Sequence, residues 1–323
     1  VSQATVSLVL NGVAGVRVSD QTRARVVEEA ERLGYRRSAR VRADTRQAAS
    51  VGLVIDDVAA SPFAAPLLEG ARESAWEHGA IVEIVSTRND PAIEAAAIQG
   101  MLARPLVGIV YATFLTRAAT PPTLPAEVPM VLLNCYAHSR GLASAIPDDA
   151  EATRNLTTQL IAVGHQRIAH IAGEAFLDAG RDRLEGYRRA LLEHRILYDP
   201  GLVVSMTSQP RAGYEGAALL LDSPAPPTAI TCYTDRMALG AMEAARERGL
   251  VVPRDLSIVG FDNDPFVVSL FPELTTAVLP HEQMARWAVE QLFATRSGAA
   301  SDPAPRRFAC EIVQRGSVAP PRR

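Results

Sequence analysis

A-T-R-N-L-T-T-Q-L-I-A-V (152–163), G-H-Q-R-I-A-H-I-A-G (164–173) and R-L-E-G-Y-R-R-A-L-L-E-H (183–194) read in turn as helix, strand and helix. In the outer two segments apolar residues return every three or four positions, whereas 168–172 is a short apolar run of strand length. The alternation continues downstream with strands at 203–204, 229–232 and 256–261 and helices at 213–221 and 237–248. Upstream it gives strands at 51–55, 81–85, 107–111 and 130–133, with helices at 63–78 (closed by Gly79) and 91–103, and a proline-rich loop at 121–129. Strands alternating with helices over short loops predict parallel sheets covered on both faces. The pattern repeats from Asp148, each half being of ordinary domain size, so two open sheets in tandem are expected with a cleft between them. Ligands of such sheets sit beyond the carboxyl ends of the strands. A last amphipathic helix is expected at 281–293 and a strand at 306–313, and the tail from Val318 reads as frayed.

The chain of 323 residues is 48% hydrophobic but only 5% aromatic, the make-up of an Ala/Val/Leu-rich globular protein. All 33 basic residues are arginine, a bias that genome-wide base composition accounts for. The net charge of −3 is uneven: residues 1–47 carry nine arginines against five acids, and the remainder is acidic. A basic end on an acidic body fits nucleic-acid binding by that end. Cys135, Cys232 and Cys310 are far apart and odd in number, which points to buried thiols in a reducing compartment. No apolar run spans a membrane and the start is not a signal peptide, so a cytoplasmic location is expected.

The basic end opens on V-S-Q-A-T-V-S-L-V-L-N-G (1–12). Ser2 can cap a short helix whose Val6, Val9 and Leu10 share one buried stripe, with Asn11-Gly12 as the turn. Its other face is small and polar, suited to a major groove. Ser19 caps a second helix with Val26, Val27, Ala30 and Leu33 inside and Arg23, Arg25 and Arg32 outside. The stretch after Tyr35 is arginine-rich, with Val41 its one large apolar residue, and reads as a linker that can order when phosphates neutralise it.

These residues closely resemble the DNA-binding headpiece of the LacI/GalR family of transcription regulators. The match runs through V-S-x-A-T-V-S-x-V-L-N-G, V-S-x-x-T-R-x-R-V and L-G-Y. It extends into the body through G-H-Q-R-I-A-H-I-A-G, R-L-E-G-Y-R-R-A-L, P-P-T-A-I, T-D-R-M-A-L-G-A, V-P-R-D-L-S-I-V-G-F-D and L-T-T (274–276). In that family another helix, with an aspartate-valine-alanine pattern, precedes the position of Val1. The resemblance implies an α/β, two-lobed periplasmic-binding-protein-like body behind a partial helix-turn-helix headpiece. Its divisions would be a headpiece at 1–36, a hinge at 37–50, one subdomain at 51–147 plus about 279–310, and another at 148–278 plus the tail.

By the same resemblance, Ser2, Thr5, Ser7, Asn11, Ser19 and Thr22 match phosphate-contacting or capping positions, and Gln3, Ala4 and Leu8 match base-reading ones. Gln3 can pair with adenine, whereas Ala4 and Leu8 can only touch or exclude thymine methyls. Leu8 stands where arginine is frequent, which implies a different operator. In the hinge, Arg37-Ser38 replaces the usual Pro-Asn, and Asp44 replaces the apolar wedge; a carboxylate is repelled by the groove, leaving Val41 as a substitute. Effector contacts fall on Ser61, Phe63, Asn134, Arg183, Thr234 and Asp262. Arg183 offers a donor fork, Asp262 an acceptor at a strand's carboxyl end, and Phe63 a stacking face. Thr234 and Asn134 depart from the family's asparagine and aspartate, so the ligand cannot be copied from a relative. Asp235 is expected to cap the helix at Met237.

The residues carry no nucleophile elbow, phosphate loop or zinc spacing, and His78, His138, His165, His170, His194 and His281 have no metal-ligand pattern. Asp148-Asp149 and Asp262-Asn263-Asp264 read as turn formers. The expectation is therefore a regulator and not an enzyme, with no cofactor. Its partners would be a double-stranded operator, a sugar-like effector between the lobes and a second copy of the chain, as a dimer or tetramer, with no membrane. The alternative is a solute receptor with the same body and no DNA binding.

Overall fold

The computed structural model describes residues 6, 18–32, 49–58, 64–138, 141–267, 269–299, 302 and 304–322. The expected helix over 1–11, apart from Val6, and the hinge with Val41 and Asp44 lie outside these residues. Helix α1 (Asp20–Arg32) begins where Ser19 Oγ accepts from the Thr22 amide at 3.3 Å, the expected cap. Val26 is buried on it and Arg25 exposed.

Among the described residues, two six-stranded sheets make up the body. The first comprises β1 (Ser50–Ile55), β2 (Ile81–Ser86), β3 (Leu106–Ala118), β4 (Met130–Tyr136), β5 (Ser144–Pro147) and β11 (Arg306–Phe308). Its order is β11-β5-β4-β3-β1-β2, with every pairing parallel. Strand β1 is buried along its whole length, as a continuous run of apolar residues with helices on both faces requires. Helices α2 (Ala64–Glu77) and α8 (His281–Arg296) cover one face, where Leu67, Ala71 and Ala75 meet Met284, Ala285 and Ala288. Helix α3 (Pro91–Leu102), capped by Asp90, covers the other through Ile98 and Met101.

The second sheet comprises β6 (Ile168–Ala172), β7 (Val203–Ser205), β8 (Ala229–Cys232), β9 (Ser257–Asp262), β10 (Thr275–Val278) and β12 (Ile312–Val313), in the order β12-β10-β9-β8-β6-β7. Only β12 runs antiparallel to its neighbour. Helices α4 (Asp149–Ala162) and α5 (Asp178–Glu193) pack on one face, and α6 (Pro210–Leu221) and α7 (Asp235–Glu247) on the other. Between α6 and α7 the backbones touch: a Cβ on Gly240 would stand 1.8 Å from the Pro210 carbonyl oxygen. The chain passes between the sheets after β5, after β10 and after β11.

Four expectations change. The expected strand at 306–313 is two strands in different sheets, because the third passage between sheets falls inside it. Strands β5 and β10 are too short to show as apolar runs. Strand β3 continues well past Tyr111, with its register to β4 shifting between Ala112 and Arg117. Polar Thr113 and Thr116 hid that extension from a reading based on hydrophobicity. Finally, the tail is anchored. Ser257 Oγ donates to the Ala319 carbonyl at 3.0 Å, Ser317 binds the edge of β9 and β10, and Arg322 pairs with Asp255 at 2.6 Å. Its backbone satisfies groups that a frayed end would leave open.

Candidate functional site

A cavity of about 420 Å³ lies between the carboxyl ends of the two sheets. That is an ordinary size for a small-molecule site.

The first sheet contributes the bulge of β3. Asn134, on β4, adopts a left-handed conformation (φ +57°), which asparagine tolerates better than most residues. Its amide is fully engaged: Oδ1 accepts from Thr116 at 2.6 Å, and Nδ2 donates to the carbonyls of Thr113 and Phe114 at 3.0 and 2.8 Å. Asp56 holds the same bulge from below, accepting from the Phe114 amide at 2.6 Å and from Arg117 at 3.1 Å. Phe114, Leu115 and Thr116 are thereby presented to the cavity. Asn134 lines the cavity, but its hydrogen bonds hold the wall together.

The second sheet supplies a charged floor. Arg183 on α5 is only 4% exposed. Its Nε donates to Asp149 at 2.7 Å, and Nη1 donates to the Tyr233 carbonyl and to Asp262 at 3.3 Å. Its guanidinium lies 3.5 Å from the Phe261 ring centre. Burial pushes the carboxyls of Asp149 and Asp262 upward, against the pull of the single guanidinium they share. The Asp148-Asp149 doublet thus divides its work. Asp148 caps α4 by accepting from the Glu151 amide, as a turn former would, and Asp149 is a buried ion-pair partner.

At the next strand end Thr234 caps α7, accepting from the Met237 amide at 3.2 Å. The expectation that Asp235 is the cap is therefore corrected. Thr234 still has extended backbone and can reach the third helical amide, whereas Asp235 is already inside the helix. Its carboxylate turns instead into the core, accepting from Thr276 at 2.6 Å and from the Asp264 amide at 2.7 Å. Burial raises its pKa to about 7. Glu174, bonded to Ser208 at 3.1 Å, and Arg236, paired with Asp264 at 2.9 Å, stand at the rim.

Beside the cleft, Tyr136 donates to Asp178 at 2.8 Å and Arg307 pairs with Asp182 at 3.1 Å, joining elements of the two sheets. Of the expected effector positions, Asn134, Arg183, Thr234 and Asp262 meet in this one cavity, and Ser61 and Phe63 lie outside the described residues. Of the expected DNA contacts only Ser19 and Thr22 are described, bonded to each other at 2.9 Å; Ser2, Gln3, Ala4, Thr5, Ser7, Leu8 and Asn11 lie outside. Sequence reading missed Phe114, Glu174, Phe176 and Tyr233, which line the cavity from loops or a strand extension without a pattern of their own, and Arg236, which stands in the first turn of α7 inside a family motif. All three cysteines are buried free thiols. Among the described residues no helix is long and apolar enough to cross a membrane, and no cluster of His, Cys, Asp and Glu could hold a metal.

Two largely parallel sheets joined by three passages, closing on a cavity of mixed apolar and polar lining at their carboxyl ends, define a ligand-binding body of the periplasmic-binding-protein kind. A family model described as a periplasmic binding protein-like domain matches residues 157–318. The chain is 33% identical over 322 residues to the HTH-type transcriptional repressor CytR of Escherichia coli K12, covering 98% of this chain and 93% of that protein. A LacI-family transcriptional regulator from Rhizobium etli superposes with a TM-score of 0.78 at 30% identity, over 84% of this chain and 99% of that one. The cellobiose complex of the transcriptional regulator CelR superposes with a TM-score of 0.68 at 26% identity, over 98% and 96% of the two chains. The chain belongs to the LacI family of helix-turn-helix transcription regulators, and its function is ligand-responsive, DNA-binding regulation.

Proposed function

We propose that the protein is a cytoplasmic repressor that binds a pseudo-palindromic operator as a dimer and is governed by a small polar effector held between its two sheets. The observation that carries this reading is the convergence of Arg183, Asp262, Thr234 and the β3 bulge on one cavity reached from both sheets. A ligand bridging both walls binds one relative orientation of the sheets better than others, and that difference is what shifts operator affinity. The basic stretch ahead of β1 would grip phosphates through Ser2, Thr5, Ser7, Asn11, Ser19 and Thr22 and read bases through Gln3, Ala4 and Leu8. Ser61 and Phe63, which precede α2 in the chain, would complete the effector site. The relatives are regulators and not enzymes, and the cavity is read as a binding site without turnover.

The test is binding of the chain to the DNA upstream of its own gene. Affinity is expected to fall steeply with salt and to change when effector is added. Arg183→Lys keeps the charge but loses the fork, so it should lose the effector response while operator affinity stays unchanged. Site-independent binding, or an undiminished response in the variant, overturns the reading.

A further inference from the structure

Arg236 stands in the first turn of α7 and lines the cavity, yet its ion pair uses only one side of the guanidinium. Nε donates to Asp264 at 2.9 Å, and among the described residues neither Nη atom has a hydrogen-bond partner. Asp264 itself is buried and firmly held. Its amide donates to Asp235 at 2.7 Å, its Oδ1 accepts from the Phe266 amide at 2.9 Å, and its Oδ2 takes Arg236. Asp235 is fixed in turn by the Thr276 hydroxyl at 2.6 Å. A buried carboxylate anchored in this way sets the direction of an arginine that is itself half exposed. What the pairing leaves open is the Nη edge, with N–H donors side by side in one plane, spaced for two oxygens of a carboxylate or phosphate.

Arg183 is partnered in a similar way deeper in the same cavity. Its Nε and Nη1 are engaged, whereas Nη2 has no partner among the described residues. The carboxylates nearby do not cancel both guanidinium groups. Asp149 and Asp262 share Arg183, and burial raises both, which lessens the negative charge that an incoming anion meets at the floor. Asp264 is taken up on the Nε side of Arg236. Glu174, bonded to Ser208 at 3.1 Å, is the lining carboxylate with no cation beside it among the described residues. An oxyanion is therefore best placed on Arg236, where it gains charge-assisted hydrogen bonds in a setting that water screens only in part.

We infer that Arg236 is a specificity residue of the cleft, that its open Nη edge takes a carboxylate or phosphate carried by the ligand, and that Asp264 is the positioning residue that aims it. This rests on the cleft being the effector site. Titration calorimetry and thermal unfolding of the full chain would compare glucose 6-phosphate and inorganic phosphate, as one arm, and glucuronate, as the other, with glucose, all at one ionic strength set with sodium chloride. At least one anion should bind about tenfold or more tighter than glucose, and the arm in which it does so names the group. Arg236→Gln should abolish that preference. Arg236→Lys, which keeps the charge without the fork, should retain only part of it.

Arg236→Gln leaves Asp264 buried without its cation, which can unsettle the fold. The double variant Arg236→Gln/Asp264→Asn removes both charges together and should show the same loss of preference in a folded chain. Asp264→Asn alone keeps the arginine but not its aim, and should narrow the preference while glucose binds as before. Equal affinity for anions and glucose in the unaltered chain overturns the inference. So does a preference that survives Arg236→Gln and the double variant, since the anion is then held elsewhere, as on the arginine-rich end. Binding of none of these compounds overturns it as well. In each case the effector reading is judged separately, by the operator response and its loss in Arg183→Lys.

Discussion

The two walls of the cleft are built on opposite principles. The second sheet's wall is a buried ion network, Arg183 between Asp149 and Asp262 with Asp235 behind, set on helix starts and strand ends. The first sheet's wall is neutral at its surface, a strand bulge pinned by the Asn134 amide and displaying phenylalanine, leucine and threonine. A network of buried charges holds one geometry because moving any member strands another. The β3 bulge rests on one part-buried ion pair, Asp56 with Arg117, and otherwise on neutral hydrogen bonds, so its geometry is less tightly fixed. The difference makes the second wall the costlier of the two to disturb.

The contrast breaks most sharply at Arg183. Arg183→Ala leaves two buried carboxylates without their cation, and denaturant unfolding should show a loss on the order of 3–5 kcal/mol. A loss below about 1 kcal/mol would mean that the floor is no network at all.

The next effect is on pH dependence. Asp235 is held at about 7 by burial, above its unfolded value, so the folded state keeps its proton more tightly. Its stabilising contribution is complete at pH below the unfolded value and is lost as pH rises toward 7, by up to about 1.4 kcal/mol per pH unit. Burial raises Asp149 and Asp262 as well, and they act in the same direction. Asp235→Asn should flatten the stability profile over that interval. A slope unchanged by the substitution would place the titrating group elsewhere.

On the neutral wall the expected costs are smaller. Asn134→Ala leaves the carbonyls of Thr113 and Phe114 and the Thr116 hydroxyl without partners and should cost about 1–3 kcal/mol in unfolding. It should also weaken the ligand, because Phe114 and Leu115 lose their support. A stable variant with full ligand affinity would show that the bulge holds its own shape.

The smallest change sharpens the comparison without breaking either wall. Tyr136→Phe removes the 2.8 Å bond to Asp178 that joins them, worth about 0.5–1.5 kcal/mol. Ligand affinity should fall by up to about tenfold, and unfolding should show a loss of no more than that contribution. A shift in stability with no change in affinity would mark that contact as a packing bond.

Much of this architecture was legible in the residues. Strands β6 and β8 coincide with the runs read at 168–172 and 229–232, since a strand buried on both faces is nearly all apolar, and the two exceptions, His170 and Thr231, bond to each other at 2.7 Å. The short strands β5 and β10 had no such signature, because pairing with longer neighbours makes up for what four residues cannot specify alone. Within the site, Arg183, Thr234 and Asp262 were legible because each stands inside a family motif, Thr234 and Asp262 at a helix or strand end and Arg183 in the second turn of α5. Phe114 and Phe176 were not, since nothing local separates a cleft-lining aromatic from a surface one. Asp149 was misread as a turn former because only its distance to Arg183, thirty-four positions away in the chain, shows what it does.

By itself the sequence determined the family, the alternation of strands and helices and the residues at which a ligand could be met. Those are properties of periodicity and of residue type at set spacing, and they survive without coordinates. Only the tertiary structure decided that Arg183 is already shared between two carboxylates, that Asn134 spends its amide on its own wall, and that the tail is bound to β9. Each depends on groups far apart in the chain, and only folding sets which of them meet and which remain free for a ligand.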